Sequence, residues 1–378
     1  MRSRKALLVV GAAIACLPLA AGAAIGDEGK KNNKTFEYAI GLWGDLPYSD
    51  TQALSGVPNL IADMNNSEIE FSVQDGDLKA GNSTPGSTTT TTCADGLYTQ
   101  ALAYFNSLRK PAIFTPGDND WTDCDRTSNG GFNPVERLQH ERQLFFGTDH
   151  SLGQETLKQT VQSTPLCQGW DYDTNALTSV PCVENRRWTF KKVTYATVNV
   201  QGTCNNRCSS GAGDPGPDGT EYTARNAADI QWLQDTFDEA TAKGSAGVMI
   251  IWQADPGFDT SGYQGAPKRD PNTLVETDGN PDGHHDVLSK LRDLTIAFKK
   301  PVVLVHGDSH YFMVDKPLRD SSGKTIENFT RVETFGDNAA NGNNSVHWVK
   351  ALVDPNSRDV FAFQAQVVPA NRVAVPSP

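Results

Sequence analysis

Gly41-Leu42-Trp43-Gly44-Asp45-Leu46-Pro47-Tyr48 is an apolar run that stops at a Gly-Asp pair. The same design returns in FSVQDGDLKAG (Phe71 to Gly81), AIFTPGDNDW (Ala112 to Trp121) and VVLVHGDSHYF (Val302 to Phe312). A strand that ends at Gly-Asp aims a carboxylate out of the C-terminal edge of its sheet. Four such edges converging on one spot would crowd like charges, and the reason to gather them is a cation held by oxygen and imidazole ligands.

Around these runs, strand and helix signals alternate. Phe36 to Asp45, Ile69 to Asp77, Pro111 to Pro116, Gly247 to Gln253 and Val302 to His306 read as strands. Val57 to Met64, Asp95 to Leu108, a segment from Pro134 capped by Asn133, Thr223 to Lys243 and Gly283 to Lys299 read as helices. Arg187 to Lys191 and Val193 to Gln201 read as paired strands. Arg331 to Thr334, Ser345 to Val353 and Val360 to Val367 close the chain as strands. Gly147 to Glu184 carries no period and is taken as irregular. Asn82 to Thr92, Gly202 to Gly219 and Asp255 to Pro281 are taken as loops. The fold class expected is α/β, with two mixed β-sheets packed face to face and helices outside, a four-layer sandwich. Ligands are expected at the C-terminal strand edges.

The chain has 378 residues, enough for one large α/β domain, placed at 36–370. Charged residues are 21% and the mean hydropathy is -0.46, values of a globular rather than a disordered chain. The formal charge of -12 argues against a nucleic-acid backbone as the main partner. It does not exclude a small phosphorylated substrate, because a bound metal reverses the local field.

The N-terminus reads as a leader over residues 1–23. Arg2, Arg4 and Lys5 precede the apolar stretch Ala6 to Leu19, and Ala21-Gly22-Ala23 offers a cleavage site. Residues 24–35 are taken as a flexible N-terminal segment. A secreted or periplasmic location follows. Lipid attachment at Cys16 is the lesser reading, since Ala13 stands where a larger aliphatic residue is expected. No other segment is long and apolar enough to span a bilayer. Six cysteines lie beyond the leader, an even number that suits disulfides in an exported chain. The expected pairs are Cys93–Cys124, Cys167–Cys182 and Cys204–Cys208, the last two closing short loops.

In these blocks the chain resembles the calcineurin-like metallophosphoesterases, whose pattern runs D-x-H, GD, GNH[DE], a lone His, then GHxH. The segments GDLKAG, PGDNDWTDC and HGDSHYF look like a divergent bacterial branch of that superfamily. The resemblance runs from Phe36 to Phe312. It implies metal ligands at Asp45, Asp77, Asp118, Gln253, Asp308 and His310, and a metal-activated water that attacks a phosphate mono- or diester. The departures are several. Pro47 replaces the first His and Asp118 an Asn. Asn119 replaces the His that protonates the leaving group, and Gln253 and Asp308 replace two ligating His. This harder donor set implies one or two divalent ions, with Mn, Mg or Ca favoured over Zn or Fe. Asn119 is left to orient the phosphate, and His306 is the expected general acid. Asn205 and Asn206 stand where relatives place substrate-facing Asn residues. The alternatives are a catalytically impaired binding or accessory protein on the same fold, and a calcium-stabilised surface module.

Other residues have plainer readings. Asp120 is expected to orient its neighbours, Lys79 to sit in a loop within reach of a phosphate, and His284-His285 to begin a helix on the surface. Trp121 and Trp252 are expected in core packing.

Overall fold

Alternation along two strands shows how the layers form. On β1 (Tyr38–Trp43), Tyr38, Ile40 and Leu42 enter one apolar cluster, while Ala39 and Trp43 enter another. On β7 (Gly247–Ile251), Met249 and Ile251 join the cluster of Ile40, and Val248 and Ile250 turn the other way. Successive side chains point to opposite faces of a sheet, so each sheet has one face toward its partner and one toward helices.

The computed structural model describes residues 36–82, 92–208, 219–258, 268–336 and 345–372. The expected leader, the segment 24–35, most of the threonine-rich loop and parts of the two later loops lie outside the described residues.

The first sheet runs in the order β12 (Phe361–Gln366), β11 (Trp348–Val353), β1, β2 (Ser72–Gln74) and β3 (Ala112–Phe114). β1, β2 and β3 are parallel, with Gly41 opposite Ser72 and Ser72 opposite Ala112. The second sheet runs β4 (Thr160–Asp171), β5 (Ala176–Phe190), β6 (Val193–Thr197), β7, β8 (Val302–His306), β10 (Phe329–Glu333) and β9 (Met313–Asp315). Here β6, β7, β8 and β10 are parallel. Helices Val57–Asn65, Asp95–Ser107 and Pro134–Phe145 supply residues to the cluster on the outer face of the first sheet. Helices Gly219–Ala242 and His285–Phe298 do the same for the second. The expected four-layer α/β sandwich is the observed one.

Asn133 caps its helix by accepting from the backbone N–H groups of Val135 and Glu136 at 2.9 and 3.1 Å. All three expected cysteine pairs are bonded: Cys93–Cys124, Cys167–Cys182 and Cys204–Cys208.

One expectation fails. Most of Gly147 to Glu184 is not irregular; β4 and β5 form a long antiparallel hairpin joined across by Cys167–Cys182. Much of β4 is exposed on both faces, so its sequence carries no two-residue hydrophobic period, and the register shifts along it.

Candidate metal centre

The parallel strands of both sheets end at one place. Asp45 follows β1, Asp77 follows β2, Asp118 follows β3, Gln253 follows β7, and Asp308 and His310 follow β8. Four of these residues leave their strand with left-handed backbone: φ is 51° at Asp45, 61° at Asp77, 72° at Asp308 and 66° at His310. Such angles cost a non-glycine residue roughly 1–2 kcal/mol each. They cluster here because a sharp reversal turns each side chain back over the sheet edge. The glycines of the Gly-Asp pairs serve close approach. A Cβ on Gly117 would overlap the Asp77 carboxylate, and one on Gly307 would overlap that of Asp45.

Asp45, Asp77 and His310 each offer a ligand atom, and these atoms lie within 4.8 Å of one another. Asp45 accepts from the backbone N–H of Asp308 at 3.1 and 3.2 Å, and its Oδ1 stands 3.5 Å from His310 Nε2. Asn119 donates to Asp77 twice, from its backbone N–H at 3.2 Å and from Nδ2 at 2.6 Å. The Tyr48 hydroxyl sits among all of these. It lies 2.8 Å from Asp77 Oδ2, 3.4 Å from Asp45 Oδ1, 3.0 Å from His310 Nε2 and 3.2 Å from Asn119 Nδ2.

Asp118 stands differently. Its Oδ1 accepts from Gln253 Nε2 at 3.1 Å and its Oδ2 from Thr203 Oγ1 at 2.8 Å. Gln253 Oε1 in turn accepts from the backbone N–H of Gly202 at 2.6 Å. Gln253 therefore presents an amide donor, not a carbonyl ligand, to Asp118. Asp308 Oδ2 accepts from the backbone N–H of Asp255 at 3.1 Å.

The electrostatics are those of a crowded acidic site. Burial, and then the charges of Asp118, Asp45, Asp120 and Asp308, hold the Asp77 carboxyl well above the ordinary range. Burial and the charge of Asp118 push Asp308 up to about 8. Burial raises Asp120 to about 7, against the backbone N–H groups of Leu78 and Gly117 that it accepts. By those bonds Asp120 ties the second acidic block to the third, the orienting role read from its position. A positive ion favours the ionised form of every one of these groups. Two buried carboxylates and an imidazole within reach of one another are a donor set that can hold a metal ion.

Several expected site residues sit elsewhere. His306 is fully buried. The strand pattern ends at it, and the following turn takes Asp308 away with φ 72°. The His306 ring bonds the Gly307 carbonyl through Nδ1 at 2.9 Å, and burial, opposed by the charge of Asp255, lowers it to about 4. A ring that stays neutral under the sheet edge is poorly placed to be the general acid.

Asn205 and Asn206 do not face the centre. Asn205 Nδ2 donates to the Gly283 carbonyl, and its Oδ1 accepts from Arg225 Nη1 at 2.6 Å and from the backbone N–H of Gln201. Asn206 donates to Glu221 at 2.8 Å. Both belong to a turn in which Thr203, Cys204, Asn205 and Asn206 all have positive φ, between 46° and 64°. Arg225 and Glu221 clamp that turn from beneath, and Cys204–Cys208 closes it. The residue it delivers to the centre is Thr203.

Lys79 is also buried. Its Nζ donates to the Ala80 carbonyl at 2.6 Å, and burial lowers it to about 8 against the charges of Asp123, Asp120 and Asp77. His284 is not at the surface either: it is buried, with Nε2 2.7 Å from the Gln201 carbonyl. Trp121 and Trp252 are buried, as expected of packing residues.

Tyr48 and Thr203 escaped the sequence reading. Tyr48 carried a faint signal, being three residues past Asp45 in the same tight segment. Thr203 carried none.

No protein-family model matches this chain. No curated protein matches it either. Among solved structures, it is similar to GAP50, the anchor in the inner membrane complex of Plasmodium, at 8% identity and TM-score 0.37, over 88% of this chain and 89% of that one. It is similar to the sulfate thiohydrolase SoxB of Thermus thermophilus at 12% identity and TM-score 0.41, over 87% of this chain and 45% of that one. It is similar to the 5'-nucleotidase of Candida albicans at 10% identity and TM-score 0.39, over 88% of this chain and 52% of that one. The chain thus spans about half the length of the last two.

Proposed function

We propose that this protein is an exported, metal-dependent phosphoric ester hydrolase acting on a small phosphorylated substrate. The observation that carries the reading is the convergence of Asp45, Asp77 and His310 within 4.8 Å at the strand edges. The leader and the three disulfides support export to an oxidising compartment.

Asp45, Asp77 and His310 would hold one divalent ion, Mn, Mg or Ca by the hardness of the donors. Asp308 borders the same position through its backbone N–H to Asp45, and the charge of Asp118 repels its carboxylate. A bound ion supplies positive charge for phosphoryl oxygens and acidifies a water. The chain's own residues supply the rest. Asn119 anchors Asp77 and orients a phosphate oxygen with its amide. Asp45 holds the Asp308 backbone, which sets the turn that carries His310. Gln253 and Thr203 hold Asp118 by hydrogen bonds, which favours a single well-formed ion position over two.

That closure of Asp118 also favours one second reading, a cation-binding module on this fold that no longer turns over. One experiment separates the two. Protein purified without chelator is analysed for metal and assayed on aryl phosphate mono- and diesters with Mn²⁺, Mg²⁺ or Ca²⁺ added. Ion-dependent hydrolysis that disappears in Asp77→Asn supports the enzyme. Ion binding without hydrolysis supports the module. No ion bound under any condition removes both.

A further inference from the structure

In the first block the resemblance calls for a histidine at position 47, where this chain has Pro47, which offers no ligand atom. The next residue brings an oxygen to the centre. The Tyr48 hydroxyl is 2.8 Å from Asp77 and 3.0 Å from His310, with Asp45 at 3.4 Å. It is thus in reach of all three side chains that frame the proposed ion position.

The placement is built rather than incidental. The Tyr48 backbone N–H donates to the buried Gln52 side chain at 2.6 Å, and the Leu46 N–H donates to the Asp77 carbonyl. The Tyr48 ring meets the His310 ring edge-on, with centroids 4.9 Å apart. A hydroxyl has one proton and two lone pairs. It can donate to Asp77 or to Asp45 but not to both, so two carboxylates compete for one proton. A divalent ion resolves that competition, because it takes the oxygens of both carboxylates and of the hydroxyl together.

We propose that Tyr48 is a fourth protein ligand of the ion position framed by Asp45, Asp77 and His310, in place of the imidazole the first block lacks. The inference rests on the proposed ion site and adds a residue to it. An oxygen at this place, where relatives carry nitrogen, biases selection toward Mn²⁺, Mg²⁺ and Ca²⁺.

The test measures Mn²⁺ and Zn²⁺ affinity by equilibrium dialysis for the wild-type protein, Tyr48→Phe and Tyr48→His, and follows tyrosine near-ultraviolet difference absorption as Mn²⁺ is added. Expected are a loss of Mn²⁺ affinity of ~10-fold or more in Tyr48→Phe, a gain of Zn²⁺ over Mn²⁺ in Tyr48→His, and a tyrosine difference band that Tyr48→Phe lacks. Equal or tighter Mn²⁺ binding by Tyr48→Phe would overturn the assignment, since the phenol would then be a bystander or a plug. Should Tyr48→Phe not fold, wild-type protein that binds Mn²⁺ without perturbing any tyrosine overturns it as well. Wild-type protein that binds no ion overturns the underlying site reading instead.

Discussion

Two clusters in this molecule hold the same kinds of side chain and do opposite things with them. Asp45, Asp77 and His310 lie close enough to share an ion, and so do Glu276, Asp282 and His284. In the second cluster the cation is already present. Arg269 donates to Asp282 through Nη1 at 2.8 Å and Nη2 at 3.0 Å, and its Nη2 lies 3.3 Å from Glu276. Asp282 is accordingly pulled down to about 2, against the effect of burial, by its hydrogen bonds with Arg269 and that residue's charge. In the first cluster burial and charged neighbours that are other carboxylates push Asp77 up. Composition alone does not separate a structural acidic cluster from a candidate metal centre. The sign of the surrounding charged side chains does.

The comparison breaks most visibly at Asp77. Asp77→Asn should reduce ion-dependent hydrolysis by ~1000-fold, about 4 kcal/mol of barrier. In chelator the same change should raise the unfolding midpoint, because it removes repulsion between carboxylates. A lower midpoint in chelator would mean that the first cluster is structural too.

Arg269→Met should cost ~3 kcal/mol in denaturant unfolding, because it removes the guanidinium that pairs with Asp282 and Glu276. A loss under ~1 kcal/mol would remove the contrast.

His284 sharpens it through pH. Burial lowers its ring from the ordinary 6.5 to about 4. The unfolded chain therefore takes up the proton first. Stability is full above about 6.5 and is lost as pH falls from there through about 4, by ~3 kcal/mol. His284→Gln should flatten that acid limb in urea unfolding measured between pH 7 and pH 4. An unchanged limb would assign the acid sensitivity to other groups.

The smallest effect belongs to Thr203. Thr203→Val removes the hydroxyl that serves Asp118 and Asp123 at 2.8 and 3.1 Å. It should destabilise by ~1 kcal/mol. It should also change ion stoichiometry little, as dialysis with Mn²⁺ would show.

Much of this architecture was legible because it repeats short-range rules. Asp45, Asp77 and Asp118 each follow an apolar run, and the parallel strands that carry them end on one edge. A motif read one block at a time therefore maps onto one place. The cysteine pairs were legible for a related reason: two of them close short loops. The β4–β5 hairpin was not, because strands exposed on both faces leave no hydrophobic period. His306 misled because alternation stops at the last strand residue, and the turn beyond it obeys different geometry. Asn205 and Asn206 misled because Arg225 and Glu221, 20 and 15 residues on in sequence, turn them inward.

From the chain alone came the layers, the edge where chemistry gathers, and the acidic residues that meet there. Those follow from alternation and strand order, which local sequence encodes. Only the folded molecule decided which donors each carboxylate receives: Tyr48 beside Asp77, Gln253 and Thr203 on Asp118, Arg269 on Asp282. Such partners are chosen by distances across loops and between sheets, and a one-dimensional pattern carries no measure of them.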